Sequence, residues 1–204
     1  MPHLIEGIPE MDVPSIDPLA FSSIKIDTGS TGSVSMKLEL LNGTISGLRN
    51  LKIENHKMNF DNIIFSAILI IPEFQLEGTY KMNGRILFFE LNGEGLVGFN
   101  ATGVRVDSVW YGSTYMKKNQ KHVSIDKIKF NELNIKSVRV MFDNLFDADN
   151  EVLTDTVNNA INDNIDTLKE DFLPIMKETL IELIRERFNR VYQLFPMDQL
   201  YLNN

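Results

Sequence analysis

The chain has 204 residues, a formal net charge of −8 and a pI of about 4.9. At 43% hydrophobic and 24% charged it has the balance of a globular domain, and its acidity argues against nucleic acid or an anionic membrane surface as a standing partner. It contains no cysteine, which excludes disulfides, thiol nucleophiles and cysteine zinc sites, and it has no apolar run of about 18 residues to span a bilayer as a helix.

The first residues are proline-rich (Pro2, Pro9, Pro14, Pro18) and predict an extended arm over residues 1–20, with Ile8, Met11, Val13, Ile16 and Leu19 available to pin it to the body. Phe21 to Ile26 alternates as a short strand. Gly29-Ser30-Thr31-Gly32 predicts a turn. Val34, Met36, Leu38 and Leu40 alternate with polar residues and predict a half-buried strand, and Asn42-Gly43 signals a hairpin. Ile45 to Lys57 reads as a further strand broken at Ser46-Gly47. Ile63 to Ile71 is almost wholly apolar and β-branched, and predicts a strand that stops at Pro72. Phe74 to Met82 and Arg85 to Leu91 flank Asn83-Gly84, a second hairpin signal. Val97 to Trp110 predicts a long strand with bend points at Gly98 and Gly103. After a polar turn at Lys117 to Lys121, Val123 to Phe130 and Leu133 to Phe142 form a last pair. The sheet is expected over residues 21–146.

From Glu151 the period changes. Leu153, Val157, Ile161, Ile165, Leu168, Phe172, Met176, Leu180, Ile184, Phe188 and Tyr192 recur at helical spacing, predicting one long helix over 150–192, opened by a cap at Asp149 or Asn150 and kinked near Pro174. Acidic residues early in the run and Arg185, Arg187 and Arg190 late complement the helix dipole. The expected fold is α+β: a single domain in which a strongly curved antiparallel sheet, a super-roll, wraps a long C-terminal helix.

The motifs that carry chemistry elsewhere have simpler explanations here. Gly93-Glu94-Gly95-Leu96-Val97-Gly98 matches G-x-G-x-x-G, but a strand pattern follows it where a dinucleotide site needs a helix; its glycines are expected to bend a curved strand. Asp147-Ala148-Asp149-Asn150-Glu151 resembles a calcium loop, yet Val152 stands at the glycine position and Asn158 at the final glutamate position. His3, His56 and His122 have no partner at metal spacing and read as surface histidines. No nucleophile elbow is present. No catalytic apparatus, cofactor or metal is expected. Asn42-Gly43-Thr44 and Asn100-Ala101-Thr102 fit the N-glycosylation pattern. Trp110, Tyr111 and Tyr115 read as strand aromatics near a turn.

Several stretches together resemble the insect takeout/juvenile-hormone-binding protein family: Gly7-Ile8-Pro9-Glu10-Met11-Asp12-Val13-Pro14-Ser15-Ile16-Asp17-Pro18-Leu19, Asn42-Gly43-Thr44-Ile45-Ser46-Gly47-Leu48, Ile71-Pro72, Gly78-Thr79-Tyr80-Lys81-Met82-Asn83-Gly84-Arg85-Ile86, Gly93-Glu94-Gly95, Asn144-Leu145-Phe146 and Phe172-Leu173-Pro174. Their order and spacing span nearly the whole chain. The resemblance implies a fold related to tubular lipid-binding proteins and a secreted, extracellular, non-enzymatic carrier that holds juvenile hormone or another lipid-like molecule in an internal cavity or tunnel. The family pattern usually includes an N-terminal cysteine pair, which this chain lacks; the Met1-Pro2-His3-Leu4 start has no apolar signal core and reads as a mature region with an added Met.

The residues themselves predict more apolar surface than a simple sandwich needs. Candidate lining residues are Phe65, Ile68, Phe74, Leu76, Tyr80, Phe89, Val106, Val140 and Phe142 from strands, with Phe172, Met176, Leu180 and Ile184 from the helix. Tyr80 or Thr79 would orient a head group, and the proline-rich arm would act as a lid. Expected partners are a small hydrophobic ligand and a receptor or membrane met during ligand transfer, with no nucleic acid and no stable membrane insertion. The competing expectations are an interaction module with a solid core and an enzyme that uses the groove as an acyl site.

Overall fold

The structure is a computed structural model in which residues 5–7, 15–29, 33–146 and 150–200 are described. Most of the proline-rich arm, the central residues of the turn after Gly29, His3 and the Asp147–Asp149 stretch lie outside the described residues. Seven strands, β1 (Leu19–Asp27), β2 (Val34–Ser46), β3 (Lys52–Asn59), β4 (Ile64–Ile86), β5 (Phe89–Lys117), β6 (Gln120–Asn134) and β7 (Ser137–Phe142), are followed by helices α1 (Glu151–Asp163), α2 (Ile165–Leu194) and α3 (Met197–Leu200). The strands form one curved antiparallel sheet in the order β1-β2-β4-β5-β6, with β3 paired to β4 and β7 to β5.

The spine is the β4–β5 hairpin, paired without a break in register from Ile64↔Tyr111 to Ile86↔Phe89. Along the other edge of β4 run β3, against residues 64–70, and β2, against residues 75–86. Along the other edge of β5 run β6, against residues 105–117, and β7, against residues 97–102. Each pair of short strands is one ribbon interrupted at the same level, where Pro72 stands opposite Gly103. Pro72 therefore does not end its strand as expected. It sits in the gap between the β2 and β3 ladders, so its missing N–H breaks no bond on that side. Gly103 opposite has φ 61, which glycine adopts without strain. For the same reason β7 does not pair with β6 as the sequence suggests; it continues the β6 path along β5, bridged by a bond from Lys136 N to Thr102 O.

Both Asn-Gly signals also have a different outcome. Asn42 (φ 47) and Gly43 make a bulge inside β2, between the Leu41 and Thr44 pairs, and a Cβ on Gly43 would meet the Phe21 ring. Gly84 lies within β4, where a Cβ would lie 2.3 Å from the Ser35 carbonyl oxygen. The hairpin turn falls at Leu87-Phe88, with Leu87 at φ 57 and packed on the core. The polar turn at Lys118-Asn119 is as expected: both residues have positive φ, the signature of a tight hairpin turn.

The helical run begins where the cap signal placed it, with the Asn150 side chain accepting from Leu153 N. It is not continuous. It breaks at Asn164, whose side-chain amide takes the Ala160 carbonyl at 2.8 Å and competes with the helical ladder. Pro174, the expected kink, is accommodated within α2.

The helices join the sheet by its edges. The Asn158 amide bonds both the N–H and C=O of Phe142 at 3.0 and 2.8 Å. Asn162 does the same for Val140 at 2.9 and 2.7 Å, and Asn189 for Ile125 at 2.7 and 2.9 Å. Each asparagine imitates one residue of an additional strand and satisfies edge groups that would otherwise be left open. Lys177 donates to the Phe130 carbonyl. On the opposite side Arg187 donates to Ala20 O at 2.8 Å, and Asp171 accepts from Ser33 N at 2.7 Å. Helix α2 thus bridges the β6 and β1 borders and closes the roll. Because the Asn158 side chain is buried, Asn158→Ala strands two buried backbone groups and should lower unfolding free energy by about 2–4 kcal/mol. Asn164→Ala, at an exposed position, should cost less than about 1 kcal/mol. Urea denaturation of the two variants checks the difference; equal losses would contradict the edge-bond account.

Candidate functional site

The inner face of the sheet changes parity at the Pro72/Gly103 row. Below it Phe65, Leu69 and Ile71 of β4, with the buried Ala67 between them, point inward with Val104, Val106 and Trp110 of β5. Above it the inward residues are Phe74, Leu76, Tyr80 and Met82 with Leu91, Val97 and Phe99. The two halves form two apolar clusters, and Phe74 and Phe99 pack on both. Their rings meet edge-on at 6.1 Å, so this pair sits at the junction.

Twelve of the thirteen sequence candidates belong to these clusters. Leu76, Tyr80, Phe142 and Val106 are fully buried, while Phe65, Phe74, Phe89, Val140, Phe172, Met176, Leu180 and Ile184 are half-buried. Ile68 is the exception. It alternates with Ala67 and Leu69, pairs with Glu54 and Asp107, and belongs to neither cluster, because the parity change separates it from Phe74, Leu76 and Tyr80. It lies on the outer face, beside the Arg105–Glu54 ion pair. Sequence reasoning also passed over Phe99, Leu69, Ile71, Ile181 and Leu183, which pack on the clusters; their strand or helix period was visible, but the facing partners were not.

The burial of α2 is unusual for a helix within a roll. Among its described residues only Leu168 is fully buried. Its apolar side chains Phe172, Ile175, Met176, Leu180, Ile181, Leu183 and Ile184 pack on the clusters and yet remain partly accessible. The opposing strand residues Phe65, Leu69, Ile71, Phe74, Phe99, Val138 and Val140 do the same. Two apolar faces thus look at each other along α2, pack on the same clusters and stay partly accessible.

The polar groups of this interior are already engaged. Tyr80 is 1% exposed, and its hydroxyl donates to Asp143 O at 2.6 Å with Asn144 O at 3.2 Å. Thr79 faces outward and donates to Leu41 O. Neither is free to orient a head group in the way the sequence suggested. The glycines of the G-x-G-x-x-G match have a packing role: a Cβ on Gly93 would lie 2.3 Å from Asn144 O and one on Gly95 2.7 Å from Asp143 O, whereas Gly98 faces open space. They admit the strap that leads from β7 to the helices. His122 is not a surface histidine but is 4% exposed, with Nδ1 3.1 Å from Tyr192 O and its ring stacked on Tyr115. Trp110 is buried and donates to Ser108 Oγ at 3.1 Å.

Two surface pockets lie outside the roll. One, of about 550 Å³, crosses β1, β2, β4 and β5 and carries the Lys25–Glu39 and Lys81–Glu94 ion pairs. The other, of about 330 Å³, lies along α2 between Glu182 and Gln193. The first alternates charged residues with Ile26, Leu38 and Met82, and the second is lined by charged and amide side chains. Among the described residues no group of side chains is arranged to hold a metal ion, and no helix is long and apolar enough to cross a membrane.

The geometry matches known proteins. The solved structure of Takeout 1 from Epiphyas postvittana superposes with a TM-score of 0.80 over 98% of this chain and 89% of that one, at 20% identity, which shows the shared fold. The model of the haemolymph juvenile hormone binding protein family matches residues 1–202. The chain belongs to that family. Circadian clock-controlled protein daywake of Drosophila melanogaster is 23% identical over 157 residues, 74% of this chain; the match spans 60% of that relative's length.

In this member of the juvenile hormone binding protein family, Tyr80 locks the strap to the sheet. Burial, with Asp143 beside it, raises the phenol's pKa well above its usual value. A raised folded-state pKa means that the stability from Tyr80 is complete below about pH 10, the unfolded value, and is lost as pH rises above it. Tyr80→Phe should therefore cost about 1–2 kcal/mol at neutral pH and make the alkaline fall in stability shallower. Unfolding free energies measured across neutral and alkaline pH check both parts.

Proposed function

We propose that the chain is a carrier for a small hydrophobic ligand, of the class of a juvenile hormone-like terpenoid, a quinone or a fatty acid, held between α2 and the inner face of the sheet. The observation that carries this reading is the pair of facing apolar surfaces that stay half-buried along the length of α2. Phe65, Phe74, Phe89, Val140, Phe172, Met176, Leu180 and Ile184 would touch the ligand, while Leu76, Tyr80, Val106 and Phe142 form the packed wall behind them. Family membership supports the same reading, and the family's description as haemolymph proteins supports a role outside cells.

The energetics suit a carrier. Burying about 400 Å² of an isoprenoid or acyl chain gains about 10 kcal/mol gross, and the loss of translational and conformational freedom removes a large part of it. Micromolar to nanomolar affinity follows without a charged contact. Exchange would proceed by opening one end of the roll and would end at a receptor or a membrane. No step of bond making or breaking is needed, so the proposed role is binding without catalysis. The rival reading, an interaction module with a solid core, has one observation in its favour: Leu96 and Met141 are exposed on the outer face beside Gly98.

Leu180→Trp separates the two. In a carrier the larger ring enters unfilled space, so affinity for a fluorescent fatty acid should fall at least tenfold while the melting temperature holds or rises. In a solid core the same change overpacks, lowers stability by about 1–3 kcal/mol, and there is no probe binding to lose. Native mass spectrometry of the purified wild-type chain should show a co-purified apolar molecule.

A further inference from the structure

The net charge of −8 hides a local reversal. From Ser108 to Ile125 the chain has no carboxylate and carries Lys117, Lys118 and Lys121, all at the β5–β6 hairpin. The turn at Lys118-Asn119 projects them from one end of the roll, and Met116 beside them is 68% exposed. The tip is held in place: Lys117 Nζ donates to Gln193 O at 2.9 Å, and His122, stacked on Tyr115, lies against Tyr192 O. These bonds fix the lysines beside the C-terminal end of α2, where Leu194 is 49% exposed. The β3–β4 turn is at the same end, tied by Gly112 N to Ile63 O at 2.8 Å, and it presents Phe60, also 49% exposed. Carboxylates do reach this end from neighbouring segments, at Asp61, Asp126 and Asp198, but Asp126 accepts a bond from Ser113 Oγ and Lys127 and Lys129 flank it on β6.

We infer that this end of the roll, the β5–β6 tip with Phe60 and Leu194 beside it, is the surface that docks on an anionic phospholipid bilayer. Cations around an exposed apolar tip are what an interfacial anchor requires: the lysines meet lipid phosphates and carboxylates while Met116 enters the acyl boundary. The acidic remainder of the chain is repelled by the same membrane, so contact is confined to this end, and it is brief because no long apolar segment inserts. The inference deepens the carrier reading and rests on it, since it assigns the end of the roll at which ligand would pass to a membrane.

The test is flotation of the full chain with phosphatidylcholine vesicles and with vesicles that also contain phosphatidylserine, at low and high salt. The wild type is compared with Lys118→Gln/Lys121→Gln, Met116→Ser and, as a control on β3, Lys52→Gln. The chain should float with the phosphatidylserine vesicles at low salt and be released at high salt. The double variant should bind at least tenfold more weakly, at roughly fivefold per lysine, and Met116→Ser severalfold more weakly. Lys52→Gln should bind as the wild type does. All four proteins should keep the same circular dichroism melt. Equal binding to both vesicle types, or an equal loss in Lys52→Gln and the double variant, overturns the docking surface. Fluorescent fatty-acid binding, measured in parallel, judges the carrier reading separately: its failure removes the carrier, while the vesicle arms still decide whether this end docks.

Discussion

Polar bonds at the borders tie the two helices to the sheet, beside the apolar packing of α2 on its inner face. Asn158, Asn162 and Asn189 pair with strand backbones as added strand residues would, and Lys177, Asp171 and Arg187 complete the seams. A helix held by apolar burial needs its stripe pressed into a close-packed core. Helix α2 does not: one residue in its length is fully buried. Held also by its flanks, α2 keeps an apolar stripe that packs on the inner sheet and yet stays partly accessible along its length. The two borders also differ. The asparagine pairs tie the helices to β7 and β6, while single bonds reach the β1 side.

The second constraint is the row at Pro72 and Gly103. There the two spine strands change parity together and both flanking ribbons are interrupted. A sheet this long, with strands of 23 and 29 residues, accumulates twist and coil, and a row of breaks lets it bend round the helix while its apolar side stays inward. The row divides the interior into two clusters joined by Phe74 and Phe99, so an elongated ligand would pass this aromatic pair. The cationic tip belongs to the lower half, with Met116 exposed beside it, while the opposite end exposes Phe88 at the β4–β5 turn.

Much of this was legible from the chain. The alternation in β2, the β-branched run of β4, the polar turn at Lys118 and the helical period after Asn150 all report local geometry that the residues themselves enforce, and the order of the short motifs pointed to the family and the curved sheet. What failed to read was set by partners distant in sequence. Asn42-Gly43 and Asn83-Gly84 permit positive φ, but bulges and close approaches need that permission as much as hairpins do, and only the pairing of β2 with β4 decides between them. Ile68 followed the parity of Phe74 and Tyr80 because nothing near it announces that Pro72 resets the face. Asn158, Asn162 and Asn189 looked like ordinary helix-surface amides until the strand edges stood beside them. His122 looked like a surface residue because its cover, the end of α2, comes late in the chain. Twelve of the thirteen candidate residues fall in the two apolar clusters because helical and strand periods select faces well even where contacts are unseen.

The claim that governs the rest is that the space between α2 and the sheet is unfilled and accepts an oily chain. A crystal structure of the protein co-crystallised with a bromine-labelled fatty acid addresses it most directly, since the anomalous signal of bromine marks the ligand by itself. The account predicts a peak between α2 and the inner sheet, along the line from Met176 to Ile184 and near the Phe74–Phe99 pair. A peak only on the outer face, or an interior closed by the protein's own side chains with no bromine in it, would contradict it.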